Sequence, residues 1–168
     1  MRIELAVVLA GLVFSSALWG AEPKKEGAKV GDPLPEFTLK DENGTDVKLS
    51  EFKGKAGLIL FFYPKADTPG CTKESCGFRD ELAKYQAAGY QPMGVSRDTP
   101  AAQKAFKEKF KLTYPLLSDP DASLAAAFAF KPGQRATAVI AKDGTIEKLI
   151  VQVNAASHAV DLLKDMGK

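Results

Sequence analysis

The chain has 168 residues, of which 45% are apolar and 26% charged, a balance typical of one soluble globular domain with its own core. This length is too short for two comfortable domains, and a net charge of +2 is too small to predict nucleic-acid or membrane-surface binding. The densest basic stretch, residues 104–111, is interpreted as a solvated helix face rather than a docking patch.

The first residues differ in composition from the rest of the chain. Arg2 precedes a mostly apolar run of about 15 residues, Leu5–Trp19, which is shorter than the roughly 20 residues that span a bilayer. We therefore expect a signal peptide over residues 1–21 and an exported protein, in a bacterium a periplasmic one. An uncleaved membrane anchor and an organelle lumen are the alternatives. A flexible polar leader at residues 22–30 and one folded domain at 31–168 are expected to follow.

The elements of this domain are predicted from hydrophobic periodicity and turn residues. Short strands at 37–39 and 47–49 flank a hairpin turn, and the apolar run Gly57–Tyr63 predicts a strand buried on both faces. The remaining predicted segments, in chain order, are a helix at 71–88, a strand at 91–96, a helix at 100–110, a short strand at 114–117, a helical turn or two at 119–130, a hairpin of strands at 136–141 and 146–151, and a helix at 155–166. This order predicts an α/β fold with a mixed central sheet flanked by helices, the outline of a thioredoxin-like domain.

One cysteine stands where the buried strand ends and a helix begins. Unpaired N–H groups and partial positive charge in a first helical turn stabilise a thiolate, so Cys71 is the candidate nucleophile. A thiolate attacks O–O and S–S bonds. The turn residues before Cys71 and the polar residues after it predict a sulfur that is not buried.

The spacing of the two cysteines is informative. Four residues separate Cys71 from Cys76, and an ideal helix would hold their Cα atoms about 8.6 Å apart, beyond the limit of about 7 Å for a disulfide. The sulfurs can therefore join only after the first turns of the helix unwind, which Gly70 and Gly77 would ease. Such geometry suits two steps, in which peroxide oxidises Cys71 to a sulfenic acid and Cys76 then condenses with it.

The residues around these cysteines resemble a known family. The segment Pro64–Cys71 is similar to the Pro-x-x-x-Thr-x-x-Cys active-site motif of peroxiredoxins. The segment Thr72–Asp80 is similar to the bacterioferritin-comigratory-protein or peroxiredoxin Q branch, in which the resolving cysteine follows at this spacing. The resemblance covers about residues 31–168 and makes Cys71 the peroxidatic nucleophile and Cys76 the resolving thiol.

The resemblance also implies roles for four further residues. Thr68 would hydrogen-bond the thiolate and the incoming peroxide, and Pro64 would shield the thiolate from water. Arg135 would stabilise the thiolate and polarise the departing oxygen, and Glu74 would hold that arginine in place.

The implied function is a thiol-dependent peroxidase that reduces hydrogen peroxide and organic hydroperoxides. The resemblance implies no cofactor and no metal, a thioredoxin-like or glutaredoxin-like reductant, and a monomer, because the disulfide forms within one chain. Neither a nucleic-acid partner nor stable membrane insertion after signal cleavage is expected.

Two other functions are weighed against this one. A thiol–disulfide oxidoreductase acting on proteins would use the same cysteines, but the Cys-x-x-Cys motif is missing and Thr68 and Arg135 would have no purpose. A copper-binding thioredoxin-like chaperone would need a distant histidine beside the two cysteines. The single histidine, His158, is expected to be a solvated helix residue instead. Peroxide consumption without metal would distinguish the peroxidase from the chaperone.

Overall fold

A seven-stranded mixed sheet forms the centre of the protein, which a computed structural model describes over residues 27–167. The predicted signal peptide and residues 22–26 of the predicted leader lie outside the described residues. The strands, in chain order, are β1 Thr38–Asp41, β2 Asp46–Lys48, β3 Gly57–Phe62, β4 Tyr90–Ser96, β5 Leu116–Ser118, β6 Ala136–Ile140 and β7 Ile146–Ile150. The helices are α1 Pro69–Asp80, α2 Leu82–Ala87, α3 Pro100–Phe110, α4 Ser123–Ala127 and α5 His158–Asp165, with a 3-10 helix at Leu49–Phe52.

The strand order across the sheet is β2-β1-β5-β4-β3-β6-β7. The three middle strands β5, β4 and β3 run parallel to one another, and β1, β2, β6 and β7 pair antiparallel at the two sides. This architecture confirms the predicted α/β class with its mixed sheet.

The central strand β3 is buried along its whole length, as the apolar run predicts. Because successive side chains of a strand point to opposite faces, β3 supplies both halves of the core. Leu58, Leu60 and Phe62 pack into one hydrophobic cluster, whereas Ile59 and Phe61 pack into the other. The second cluster also contains Cys71, so the strand that precedes the candidate site forms part of its packing.

The two predicted hairpins are confirmed. Gly44 and Gly144 occupy their turns with φ of 78° and 91°, the left-handed region that glycine enters without strain. The predicted helix at 71–88 differs from the structure, because the helix begins at Pro69 and is interrupted at Glu81. The backbone of Glu81 has φ −96° and ψ 3°, which separates α1 from α2.

Helix α5 packs against α1, and α3 packs against β5. The N-terminus of α1, the start of β6 and the start of α5 are therefore brought to one place, at the end of the parallel strand β3. Across residues 27–167, none of the helices combines the length and the apolar character needed to cross a bilayer.

Candidate active site

Cys71 is the third residue of α1, as the sequence predicts for a cysteine at a helix start. Thr68 is the N-cap residue, and its carbonyl accepts the first intrahelical bond, from Thr72 N at 2.8 Å. Pro69 occupies the first helical position, where its fixed φ suits the helix and its missing N–H leaves no donor unpaired. Cys71 thus lies in the turn where backbone N–H groups have no intrahelical partner.

The Cys71 side chain is buried, which corrects the expectation of a sulfur that is not buried. Only 1% of the residue is exposed, because it packs into the aromatic cluster behind β3. The sulfur is nevertheless not in a purely apolar place, since Arg135 Nη2 lies 3.3 Å from Cys71 Sγ. Burial of the sulfur therefore comes with a cationic hydrogen-bond donor at its side.

Arg135 reaches the cysteine from the residue just before β6. Its Nη1 donates to Glu74 Oε2 while Nη2 faces the sulfur, so one guanidinium fork joins a carboxylate and a thiol. Burial lowers the pKa of Arg135, but the Glu74 carboxylate and Cys71 raise it by more, and the guanidinium stays charged. Gly70 leaves room for this approach, because a Cβ there would lie 3.3 Å from Nη2.

Glu74 lies on α1 one helical turn after Cys71. Its carboxylate is fully buried and uses both oxygens, Oε2 for Arg135 and Oε1 for His158 Nδ1 at 2.8 Å. A buried carboxylate with two charged or polar partners is held in one orientation. The structure thus brings Cys71, Glu74 and Arg135 together.

The expectation that His158 is a solvated helix residue is wrong. His158 is 5% exposed, its ring stands edge-on to Phe78, and its Nε2 lies 3.3 Å from Thr137 Oγ1. Sequence reasoning missed it as a site residue, although a signal was present. His158 precedes Leu162 by four residues on the apolar face of the last helix, the spacing of a buried stripe.

The loop before α1 is held by contacts from the loop that follows β4 and from α3. Asp98 Oδ2 accepts a bond from Ala66 N at 2.8 Å, and Lys109 Nζ lies 2.7 Å from the carboxylate of Asp67, which has φ 57°. The Thr68 hydroxyl donates to a backbone carbonyl of this loop at 3.0 Å, and Pro64 is exposed at its start. The roles of Thr68 towards the peroxide and of Pro64 as a shield stay predictions.

Cys76 lies on the same continuous helix as Cys71, half-buried, and both thiols are free. The helix between them is anchored from outside, because the buried Tyr114 hydroxyl donates to the Ser75 carbonyl at 2.7 Å. The Ser75 hydroxyl is itself buried and has no hydrogen-bond partner among the described residues. The intact helix therefore separates the two sulfurs, while Ser75, the residue before Cys76, carries an unsatisfied hydroxyl.

No group of three potential metal ligands drawn from His, Cys, Asp and Glu occurs in the part of the chain that the structure describes. The single histidine points its Nδ1 at Glu74. Two of the residues that a copper chaperone would use thus have other partners, because His158 contacts Glu74 and the Cys71 sulfur faces Arg135.

Comparison with known proteins identifies a family and several relatives with similar sequences. The sequence profile of the AhpC/TSA family matches residues 30–149. The chain is 52% identical over 106 residues to peroxiredoxin bcp1 of Schizosaccharomyces pombe, an alignment that covers 62% of this chain and 54% of that protein. It is 44% identical over 142 residues to the chloroplastic peroxiredoxin Q of Gentiana triflora, with coverage of 80% and 64%. The chain thus spans less than two thirds of the length of these two relatives.

The fold has a similar counterpart among solved structures. The crystal structure of peroxidoxin BcpB from Mycobacterium tuberculosis superposes with a TM-score of 0.76 at 34% sequence identity. The superposition covers 83% of this chain and 96% of that one. Similarity therefore extends over nearly the whole of the solved chain.

Proposed function

Since the chain belongs to the AhpC/TSA family, with relatives of the peroxiredoxin Q and bcp type, we propose that it is a thiol peroxidase with Cys71 as the attacking group. The observation that carries the proposal is the contact of 3.3 Å between Arg135 Nη2 and Cys71 Sγ in the first turn of α1. A helix N-terminus and a guanidinium together stabilise the anion that attacks and the anion that leaves.

In the first step, the Cys71 thiolate attacks one oxygen of a hydroperoxide. A bond forms between sulfur and that oxygen, the O–O bond breaks, and the leaving oxygen takes a proton to become water or an alcohol. Cys71 is oxidised by two electrons to the sulfenic acid as the peroxide is reduced. Arg135 is near enough to the sulfur to donate to the oxygens as charge moves onto the leaving one.

In the second step, Cys76 attacks the sulfenic sulfur of Cys71. The S–S bond forms, and the hydroxyl of the sulfenic acid leaves as water after taking a proton. Both cysteines lie on α1, so the helix unwinds before the sulfurs meet, and one chain suffices for the disulfide. This argument supports a monomer. A dithiol reductant then exchanges with the disulfide and returns both thiols.

We propose hydrogen peroxide and organic hydroperoxides as the substrates, and a thioredoxin-like or glutaredoxin-like protein as the reductant. The apolar segment Leu5–Trp19 behind Arg2 supports export of the chain, in a bacterium to the periplasm. The reductant would then be one that reaches the same compartment.

Intact-mass analysis of the reduced protein before and after one equivalent of hydrogen peroxide tests the proposal. The wild type should lose two hydrogens as it forms the disulfide, Cys76→Ser should gain one oxygen, and Cys71→Ser should not react. Reaction of Cys71→Ser at the wild-type rate would contradict the assignment of the nucleophile. A disulfide between two chains in the wild type would contradict the monomer, and the same spectrum reports the N-terminus and so tests signal cleavage.

A further inference from the structure

A line of buried contacts runs from α5 to the sulfur of Cys71. His158 Nδ1 lies 2.8 Å from Glu74 Oε1, the other Glu74 oxygen accepts from Arg135, and Arg135 Nη2 lies 3.3 Å from the sulfur. Three different elements contribute: the start of α5, the first turns of α1 and the residue before β6. The line therefore depends on the packing of α5 against α1.

The proton positions in this line follow from the groups present. An ionised carboxylate only accepts hydrogen bonds, so the bond to Glu74 requires the proton on His158 Nδ1. With Nδ1 directed at Glu74, the other ring nitrogen, Nε2, faces the hydroxyl of Thr137, which is fully buried in β6, at 3.3 Å. The ring is thus fixed from both sides, and the edge contact with Phe78 fixes its plane.

We propose that His158 is a positioning residue for peroxide reduction, acting on Cys71 through Glu74 and Arg135. This inference rests on the proposed function. The Glu74 carboxylate has no exposure to water, so loss of the His158 donor leaves one of its oxygens without a partner in the interior. The carboxylate is then no longer held in one orientation, and the Arg135 guanidinium loses the anchor that directs it at the sulfur.

The expected consequence is a change at Cys71, which His158 does not touch. Without a fixed guanidinium, a smaller fraction of Cys71 is thiolate at neutral pH and the sulfur reacts more slowly with peroxide. The conservative replacement is asparagine, whose side-chain amide places an N–H close to the position of Nδ1. Leucine fills a similar space without any donor.

The experiment compares His158→Leu and His158→Asn with the wild type, each in a Cys76→Ser background so that one thiol remains. Two quantities are measured: the rate constant of oxidation by hydrogen peroxide, and the thiolate fraction from ultraviolet absorbance. We expect His158→Leu to slow oxidation about tenfold or more and to lower the thiolate fraction, and His158→Asn to restore most of both. Thr137→Val removes only the contact between the Thr137 hydroxyl and His158 Nε2, so it should lower both quantities less. It provides a milder variant if His158→Leu does not fold.

The matched control is Tyr85→Phe in the same background. Tyr85 is buried, and its hydroxyl donates to the carbonyl of Ala159 at 2.6 Å. The change therefore removes a hydrogen bond that attaches α5 to α2, and it leaves the contacts of Glu74 in place. The proposal would be overturned if His158→Leu were oxidised at the wild-type rate. It would also be overturned if the asparagine variant lost as much rate and thiolate as the leucine variant, or if Tyr85→Phe lost as much as His158→Leu. A wild type that does not react with peroxide would instead overturn the proposed function, whereas the thiolate measurement still reports on His158.

Discussion

Replacement of Tyr114 by phenylalanine should speed the formation of the disulfide without changing the reaction with peroxide. The Tyr114 hydroxyl donates to the Ser75 carbonyl at 2.7 Å, and Ser75 lies on α1 between the two cysteines. Any unwinding that carries Cys76 to Cys71 has to break this bond. The phenylalanine keeps the ring in its aromatic cluster, edge-on to Phe61, and removes only the hydroxyl.

The magnitude follows from the energy of one buried hydrogen bond, which contributes about 1 kcal/mol to the closed helix. Loss of about 1 kcal/mol raises the population of the opened helix about fivefold, so the disulfide should form about fivefold faster wherever opening limits that step. Cys71 and Arg135 are untouched, and the rate of sulfenic acid formation should stay at the wild-type value.

The assay mixes reduced protein with one equivalent of hydrogen peroxide, quenches the reaction at intervals and measures sulfenic acid and disulfide by mass. Tyr85→Phe is the control, because its hydroxyl also donates to a buried backbone carbonyl but belongs to α2, outside the segment between the cysteines. The reasoning that α1 opens at Ser75 would be refuted if Tyr114→Phe and the wild type formed the disulfide at equal rates. It would also be refuted if Tyr85→Phe accelerated disulfide formation as much as Tyr114→Phe.

Arg135→Met should slow the oxidation of Cys71 by about 10²–10³-fold, the usual cost of removing one donor to a developing negative charge, as measured by peroxide consumption. Arg97→Met is the matched control, since Arg97 is exposed and bonds the Pro120 carbonyl; a loss of the same size there would remove the special role of Arg135. Alkaline pH should destabilise the fold, because burial raises the pKa of several tyrosines above their ordinary value of about 10: Tyr63, Tyr85, Tyr90 and Tyr114. For Tyr90, burial and a bond to Glu147 raise the pKa to about 12, so the unfolded chain releases this proton first and stability falls as pH rises from about 10 to 12. Thermal unfolding midpoints over that range should fall less steeply in Tyr90→Phe, and a melting temperature independent of pH there would contradict the expectation.

Features with a local signal could be predicted from the sequence. The strand β3 follows from an unbroken apolar run, and the two hairpins follow from Gly44 and Gly144 in their turns. The pairing of Glu74 with Arg135 was expected only through the resemblance to a family, because 61 residues separate them and no local pattern joins them.

The errors concern contacts between distant segments. The polar neighbours of Cys71 indicated exposure, yet its side chain turns inward because the first turn of α1 packs on the aromatic cluster behind β3. His158 was assigned to solvent because the distance of 84 residues to Glu74 hides the carboxylate that it contacts. Both outcomes depend on how α1 and α5 pack, which neither helix pattern contains by itself.

The place of Glu74 on α1, between the two cysteines, makes the two halves of the proposed cycle mutually exclusive. In the proposed cycle, a helix that unwinds to join the sulfurs also withdraws this carboxylate from Arg135 and His158, so the oxidised chain would lack the anchored guanidinium that faces the sulfur in the reduced protein. The same rearrangement would expose main chain and side chains that the reduced protein keeps covered. A reductant could then distinguish spent from active molecules by their shape, before any sulfur is exchanged.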